Sequence, residues 1–537
     1  MTEPFRLTAS QALALMQSGN LTVEDYAKSL LGRIKERDPI IKAWAYLDPD
    51  FVLNQARKLD QIPPEKRGPL HGIAVGVKDV ILTMDMPTGY NSLIYKNQPP
   101  VLVDAAPVIT LRAAGALIFG KTTTTEFAAT VEGGPTCNAH DPKRTPGGSS
   151  SGSGAVVGDF QVPIALGTQT GGSTIRPGSY NGIYALKPTW GAISREGLAQ
   201  YSITNDTLGL YARSVADLEL LSSVFHLADD NPVPSLPFSL QGAKVAFCKT
   251  HVWPKAGAGT QAAWSKAKSL LEQHGTSVEE IELPKDFAMT SQWHANVLTG
   301  EGRTAFLGNY LLAKEKMHHS LHGHVENTKK LSRKAQLESY DSCARLRPEW
   351  DKIAGMYDAI ITPSVPDEAP MGIGHTGDAS FCSMWTILHA PALNIPGFAS
   401  ENGMPIGLTM VGPRYTDLHV LYVGKAIVVP GYNEPGYNES LDITNATSEF
   451  AKICMFHGEA GSAKVEEESK RIMAKIQEVK KGYDANDIYN FDKTGYNWKS
   501  VPDQSLRTSQ HPGVKKDKVK IITTLYYNIT SINRLLI

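Results

Sequence analysis

Residues 147–177 read GGSSSGSGAVVGDFQVPIALGTQTGGSTIRP, with glycine and serine clustered at both ends. The middle of this stretch carries two apolar runs, Ala155-Val156-Val157 and Val162-Pro163-Ile164-Ala165-Leu166. A flexible Gly/Ser linker would not contain such runs, because apolar residues of this kind are usually buried. We therefore predict two tight loops on a buried scaffold, each of which presents a serine.

The two serines, Ser149 and Ser173, have a candidate base upstream. Lys78 stands near the end of the apolar run GIAVGVKD at residues 72–79. A serine hydroxyl is a poor nucleophile unless a base removes its proton. Glycine lets backbone N–H groups turn toward a small ligand, as an oxyanion site requires. The three residues together predict a site for nucleophilic catalysis.

Taken in order, these motifs resemble those of the amidase signature family, whose members use a Ser–cis-Ser–Lys triad. VKD at 77–79 matches the catalytic lysine motif, GGSS at 147–150 the bridging-serine loop, and TGGS at 170–173 the nucleophile turn. Further family-like pieces are GKT at 120–122 and LKPT at 186–189. The resemblance covers about residues 5–427. It implies an α/β fold, a single large domain with a mixed twisted β-sheet covered by helices.

The resemblance also implies amide hydrolysis through an acyl-enzyme, with a small-molecule amide as substrate and with no metal or other cofactor. Ser173 would be the nucleophile, Ser149 the bridging serine with a cis peptide before it, and Lys78 the base. The oxyanion would be held by the backbone N–H groups of Thr170, Gly171, Gly172 and Ser173. Lys78 would have to be neutral at pH 7, which requires a pKa depressed by roughly three units, and burial is the usual cause.

Two residues depart from the family pattern. Gln169 stands where an aspartate is common, and Arg176 lies three residues after Ser173, where two is common. Because neighbours of a nucleophile support its loop and can touch substrate, these departures bear on the substrate class more than on the chemistry.

The same stretch contains a rival motif. Residues 148–152 satisfy G-x-S-x-G, the nucleophile elbow of α/β-hydrolases, which would make Ser150 the nucleophile. That elbow needs a buried strand directly before it, whereas residues 138–146 read NAHDPKRTP and are polar and broken by proline. A phosphate loop is excluded too, because no Gly-Lys-Ser/Thr closes the run.

The amino-acid composition limits which class of protein this is and which partners it can have. The chain has 537 residues, 42% hydrophobic and 20% charged, so a large core is feasible, and its net charge of −1 argues against a nucleic-acid partner. Five scattered cysteines without C-x-x-C predict a reduced, cytoplasmic protein. No run of 18 uncharged apolar residues exists, which predicts no membrane span. The histidines at 318, 319, 322 and 324 are interpreted as a solvated helix surface rather than a metal site, and a homodimer is left open.

Helix-like and strand-like segments alternate along the chain, which is typical of an α/β protein with a largely covered sheet. A capping pattern at Thr22 and Asp25 predicts the start of a helix. Helices are also predicted at 108–114 and 261–274 and through most of 293–350. Strands are predicted at 72–80, 116–119, 243–248, 276–283, 358–364, 392–398 and 405–412.

The pattern changes near residue 428. We predict an amidase signature domain at 1–427, a junction at 428–450 and an incomplete fragment at 451–537 that resembles pogo- or Tigger-like transposases. HGEAGS at 457–462 carries this second resemblance, and Asp492 matches the first metal-binding acid of their nuclease core. Lys493 replaces the expected glutamate. Since two-metal chemistry needs several carboxylates, the fragment is interpreted as catalytically inactive.

Three functions from different classes follow. The first, which the motifs favour, is hydrolysis of the C–N bond of a carboxamide. The second is a component similar to the A-subunit of a glutaminyl-tRNA amidotransferase, which would need an RNA-binding partner and an ammonia tunnel. The third is an inactive amidase–transposase fusion whose tail binds nucleic acid.

Overall fold

A computed structural model describes residues 3–427 of the chain. The predicted junction at 428–450 and the transposase-like fragment at 451–537 lie outside the described residues, so both remain predictions. No helix within 3–427 combines the length and apolar character that a bilayer-spanning segment requires.

The described residues build one mixed β-sheet of eleven strands, whose spatial order is β1-β3-β2-β4-β6-β5-β10-β11-β9-β7-β8. The strands are β1 (Trp44–Tyr46), β2 (Ala74–Lys78), β3 (Leu117–Thr122), β4 (Ile164–Gln169), β5 (Tyr184–Lys187), β6 (Thr207–Ala212), β7 (Lys244–Cys248), β8 (Ser277–Ile281), β9 (Ala359–Pro363), β10 (Ala392–Ala399) and β11 (Pro405–Val411).

Fourteen α-helices connect and cover these strands within residues 3–427. They are α1 (Ala9–Gln17), α2 (Val23–Ile41), α3 (Pro49–Asp60), α4 (Ala106–Ala113), α5 (Ser151–Gly158), α6 (Ile175–Tyr180), α7 (Val215–Val224), α8 (Ala258–Gln273), α9 (Thr290–Ala305), α10 (Leu307–Ala313), α11 (His319–Val325), α12 (Arg333–Ala354), α13 (Ser380–Ile387) and α14 (Asp417–Ala426). The α/β class with a mixed, helix-covered sheet is therefore confirmed.

The burial of the central strands accounts for their apolar sequences. β2, β3 and β4 are buried along their whole length, so each reads as a nearly continuous apolar run rather than as an alternating pattern. At the edge of the domain, the Thr22 hydroxyl accepts a hydrogen bond from the backbone N–H of Asp25 at 3.0 Å and caps α2, as its sequence pattern predicts.

Strand direction brings the two serine loops to Lys78. β2 lies between β3 and β4 and is parallel to both, with Val77 in register with Leu166. Since neighbouring parallel strands end at the same edge of a sheet, Lys78 at the end of β2 meets the residues that follow β4. The loop at 147–150 reaches the same place, because it leads into α5, which is fully buried against the sheet.

Candidate active site

Lys78 is the last residue of β2 and is completely buried. Its Nζ lies 2.8 Å from Ser149 Oγ and 2.7 Å from Thr168 Oγ1. Burial is the main reason why the pKa of Lys78 lies well below its ordinary value, while nearby Asp206 opposes the shift and Arg176 adds to it. A lysine in this environment can be neutral at moderate pH, and its amine can then accept the proton of Ser149.

Ser149 sits in a loop that the neighbouring chain holds closely. The Gly148–Ser149 peptide bond is cis, the geometry that the family resemblance implies. A Cβ on Gly148 would lie 2.5 Å from a side-chain atom of Thr376, so only glycine fits there. The guanidinium of Arg176 donates two hydrogen bonds to the carbonyl of Gly148 and one to that of Gly377. Arg176 therefore fixes the peptide that carries Ser149.

Ser150, the nucleophile of the rival elbow motif, has a different role in the structure. It is fully buried, its hydroxyl donates to the carbonyl of Thr168 at 3.1 Å, and its Oγ accepts from the N–H of Thr168 at 3.1 Å. No strand occurs between the end of β3 at Thr122 and Ser150. The elbow is excluded because its strand is missing from this described segment and the Ser150 side chain is engaged by the backbone.

Ser173 ends the turn between β4 and α6 and is 8% exposed. The structure shows no hydrogen bond between the hydroxyls of Ser149 and Ser173, both of which lie in its described part. Of the three predicted triad side chains, Lys78 and Ser149 are in direct contact, and Ser173 lies on the neighbouring turn. Catalytic hydrogen bonds of this kind often tighten only when substrate is bound.

The turn at 170–173 is held by its carbonyl groups. The carbonyl of Thr170 accepts from Nε2 of His294 at 2.8 Å, and that of Gly171 accepts from Oγ1 of Thr386 at 2.7 Å. The carbonyls of the next two residues accept from the N–H of Arg176 at 3.0 Å and from the hydroxyl of Tyr211 at 3.1 Å. The backbone N–H groups of residues 170–173 donate to no acceptor within residues 3–427, so they can bind an oxygen of another molecule.

Gln169 and Arg176, the two departures from the family pattern, both support the loops. Oε1 of Gln169 accepts from the N–H groups of Thr174 and Ile175 at 2.8 and 3.0 Å. Its Nε2 donates to Oγ1 of Thr386 at 2.9 Å. Both Gln169 and Arg176 are buried, and their polar atoms form hydrogen bonds with other groups of the protein. Their role in the structure is therefore to support the two loops.

Asp206 is a buried residue of the site that no sequence motif marks. One carboxylate oxygen accepts from the Thr170 hydroxyl at 2.6 Å, and the other accepts from the N–H groups of Tyr201 and Ser202 at 2.8 and 3.0 Å. Burial raises the pKa of Asp206 to about 6, although these hydrogen bonds favour its ionised form. Asp206 thus places a carboxyl group beside the turn and within the electrostatic reach of Lys78.

A small cavity lies beside Thr168 and Thr170 on the side of Asp206. Its wall is mainly apolar, and it includes Phe127, Ala128, Leu198, Ala199 and Tyr201.

Within residues 3–427, no group of three or more histidine, cysteine or acidic side chains is arranged to bind a metal ion. The histidines at 318, 319, 322 and 324 form no such group either. The described cysteines are buried; burial raises the pKa of Cys382, which packs beneath Gly172, to about 12.

The chain matches a known protein family. The profile of the family Amidase matches residues 25–421. The chain belongs to the amidase family. The protein is therefore an amidase-type enzyme, one that acts on amide C–N bonds.

Two relatives of this amidase are A-subunits of glutamyl-tRNA(Gln) amidotransferases. The one from Symbiobacterium thermophilum is 31% identical over 471 residues, which cover 78% of this chain and 96% of the relative. The one from Streptomyces coelicolor is 30% identical over 480 residues, with 80% and 96% covered.

Solved structures show the same similarity. The peptide amidase from Stenotrophomonas maltophilia superposes with a TM-score of 0.68 at 25% identity and covers 81% of this amidase and 99% of its own chain. The glutamyl-tRNA(Gln) amidotransferase A-subunit from Thermotoga maritima gives a TM-score of 0.66 at 25% identity, with 81% and 97% covered. The sequence match thus shows the family of residues 25–421, and these solved structures have the same fold.

Proposed function

We propose that the protein hydrolyses the C–N bond of a small carboxamide through an acyl-enzyme on Ser173, with Ser149 and Lys78 as the proton relay. The observation that carries this proposal is the buried contact of 2.8 Å between Lys78 Nζ and Ser149 Oγ. A lysine whose pKa is lowered by burial beside a serine hydroxyl is the arrangement that a serine–lysine mechanism needs.

In the first step, Oγ of Ser173 attacks the carbonyl carbon of the amide. Its proton passes to Oγ of Ser149, and the Ser149 proton passes to the neutral amine of Lys78. The carbonyl oxygen becomes an oxyanion that the N–H groups of Thr170, Gly171, Gly172 and Ser173 bind. Preorganised backbone donors of this kind stabilise the developing charge more than the ground state, which is why they accelerate the reaction.

In the second step, the C–N bond breaks and the leaving amine takes a proton back through Ser149, so that Lys78 is neutral again. Water then attacks the ester carbonyl of the acyl-Ser173 and transfers a proton to the relay. Collapse of this second oxyanion releases the carboxylic acid and restores the Ser173 hydroxyl. The sequence needs no metal or organic cofactor, since the chain itself supplies nucleophile, base and oxyanion donors.

A fluorophosphonate probe tests the proposal without a substrate. We expect the probe to phosphonylate Ser173, as located by peptide mass spectrometry, and Lys78→Ala to slow labelling by about 10²- to 10⁴-fold. Lys96→Ala is the control, because Lys96 is exposed and should label like the wild type. An adduct on Ser150, or equal labelling of Lys78→Ala, would contradict the proposal.

A second candidate function comes from the relatives. Because proteins named as A-subunits of glutamyl-tRNA(Gln) amidotransferase are 31% and 30% identical to this chain over nearly their whole length, a role in such an enzyme is the alternative. The two functions differ in what the protein does alone. Amide hydrolysis by the isolated chain supports the first, whereas glutamine-dependent amidation of a charged tRNA only with further amidotransferase components supports the second.

A further inference from the structure

The direction of the peptide groups in the turn at 170–173 is set from outside the turn. In a trans peptide the C=O of one residue and the N–H of the next belong to one rigid plane and point in opposite directions. A donor that holds the carbonyl of Thr170 therefore aims the N–H of Gly171 to the other side. In the same way, a donor on the carbonyl of Gly171 aims the N–H of Gly172.

The two donors come from helices that are distant along the chain. His294, on α9, donates from Nε2 to the carbonyl of Thr170 at 2.8 Å. Thr386, on α13, donates from Oγ1 to the carbonyl of Gly171 at 2.7 Å. Both residues are buried, so water does not readily replace either donor.

The chemistry of each donor fits this task. A carbonyl oxygen can only accept, so Nε2 of His294 must carry the hydrogen. Burial lowers the pKa of His294, which favours the neutral ring. Thr386 has one proton and two carbonyls within reach, that of Gly171 at 2.7 Å and that of Cys382 at 3.3 Å. The amide of Gln169 donates to Oγ1 of Thr386, so the hydroxyl proton is free to be donated, and the shorter distance assigns it to the carbonyl of Gly171.

We propose that His294 and Thr386 are positioning residues of the reaction, which aim the N–H groups of Gly171 and Gly172 at the oxyanion. The inference rests on the proposed function, since the oxyanion is that of the attack by Ser173. Neither residue touches the reacting atoms; each acts through the peptide plane whose carbonyl it holds. Helices α9 and α13 thereby hold the oxyanion turn in its donor geometry.

The test uses the full-length protein and the rate at which a fluorophosphonate labels Ser173, because the P–O bond of the tetrahedral adduct points into the oxyanion site. His294→Leu and Thr386→Val remove the two donors separately. We expect the limiting labelling rate to fall by about 10- to 100-fold in each variant, at an unchanged half-saturating probe concentration. His294→Gln and Thr386→Ser retain a donor at the same place and should restore the rate to within about threefold of the wild type.

Two matched controls separate positioning from general structure. Thr299→Val also removes one buried hydroxyl, but that hydroxyl donates at 2.8 Å to the carbonyl of Ala295 in its own helix. His319→Leu replaces an exposed histidine. Both should label like the wild type, and thermal unfolding of every variant should show that the fold is retained.

The outcomes distinguish this inference from the proposed function. Wild-type labelling at Ser173 with full rates in His294→Leu and Thr386→Val would overturn the positioning role alone. Equal losses in the Leu and Gln variants, or in the Val and Ser variants, would also overturn it, because they would show a packing effect. A wild-type protein labelled elsewhere than Ser173 would overturn the proposed function and the positioning role together.

Discussion

The carboxylate of Asp206 accepts a hydrogen bond from the Thr170 hydroxyl at 2.6 Å, so a buried acid anchors the first residue of the oxyanion turn. The same carboxylate opposes the lowering of the Lys78 pKa that burial causes. One side chain therefore affects both the base and the oxyanion donors. If burial lowered the pKa of Lys78 too far, its amine would be too weak a base to accept a proton. A nearby negative charge limits how far the pKa falls.

Asp206→Asn should shift the pH dependence of Ser173 labelling. Asparagine can place its amide oxygen where both backbone N–H groups donate and its NH₂ group toward Thr170, so the fold should be retained. Loss of the negative charge removes an effect that raises the pKa of Lys78, so Lys78 stays neutral to lower pH. The acid limb of the labelling rate should therefore move to lower pH, as measured across pH 5 to pH 9. A shift to higher pH would contradict this electrostatic role.

Lys78→Met should slow labelling as much as Lys78→Ala does, without destabilising the protein at neutral pH. The pKa of Lys78 is lowered in the folded state, so the unfolded chain binds a proton more strongly than the folded protein does. Stability therefore rises with pH between the folded and the unfolded pKa, and below that range the lysine lowers stability. Methionine removes this cost, and we expect a melting temperature at pH 7 at least equal to that of the wild type.

The pH dependence of the same comparison provides its check. Any advantage in melting temperature that Lys78→Met has over the wild type should shrink as the pH approaches 10. The wild-type lysine then loses its proton in the unfolded chain too, so that its burial no longer costs stability. A variant that is much less stable at pH 7 would show instead that the hydrogen bonds of Lys78 to Ser149 and Thr168 outweigh the cost of its burial.

Gln169→Glu should weaken the oxyanion turn while preserving the start of α6. A carboxylate can still accept from the N–H groups of Thr174 and Ile175, but it cannot donate to Thr386. The Thr386 hydroxyl would then donate to the introduced carboxylate and leave the carbonyl of Gly171 without its donor. We expect the labelling rate to fall by about 10-fold with an unchanged site of modification. Gln336→Glu, at another buried glutamine whose side-chain oxygen accepts from Arg333, is a control for the added charge.

The sequence was sufficient for the parts of the site that lie in local motifs. The apolar run before Lys78 predicts β2, and the two Gly/Ser clusters predict loops on either side of the buried segment that forms α5 and β4. The role of Gln169 could not be predicted, because its partner Thr386 is 217 residues away. His294 was missed for the same reason: it is an ordinary helix residue whose contact with Thr170 spans 124 residues. Such contacts depend on how helices pack, which no local pattern records.

Residues 428–537 should be dispensable for labelling of Ser173. The last described helix, α14, is already anchored by its own residues: Asp417 accepts from the N–H and the hydroxyl of Thr189 at 2.8 and 2.7 Å, and Val420 and Val423 are buried. A stop codon after Ile427 retains these contacts. We expect that truncated protein to remain soluble and to label within about threefold of the full chain, since the contacts that anchor α14 lie within residues 3–427.

A stop codon after Thr416 is the matched control, because it removes α14 itself. That shorter protein would expose the apolar surface of β10 on which Gly424 and Val423 pack, and we expect it to aggregate or unfold. Loss of labelling or solubility already in the longer truncation would contradict the prediction. It would mean that residues beyond 427 contribute to the stability of the amidase domain, and that the boundary predicted at 427 is wrong.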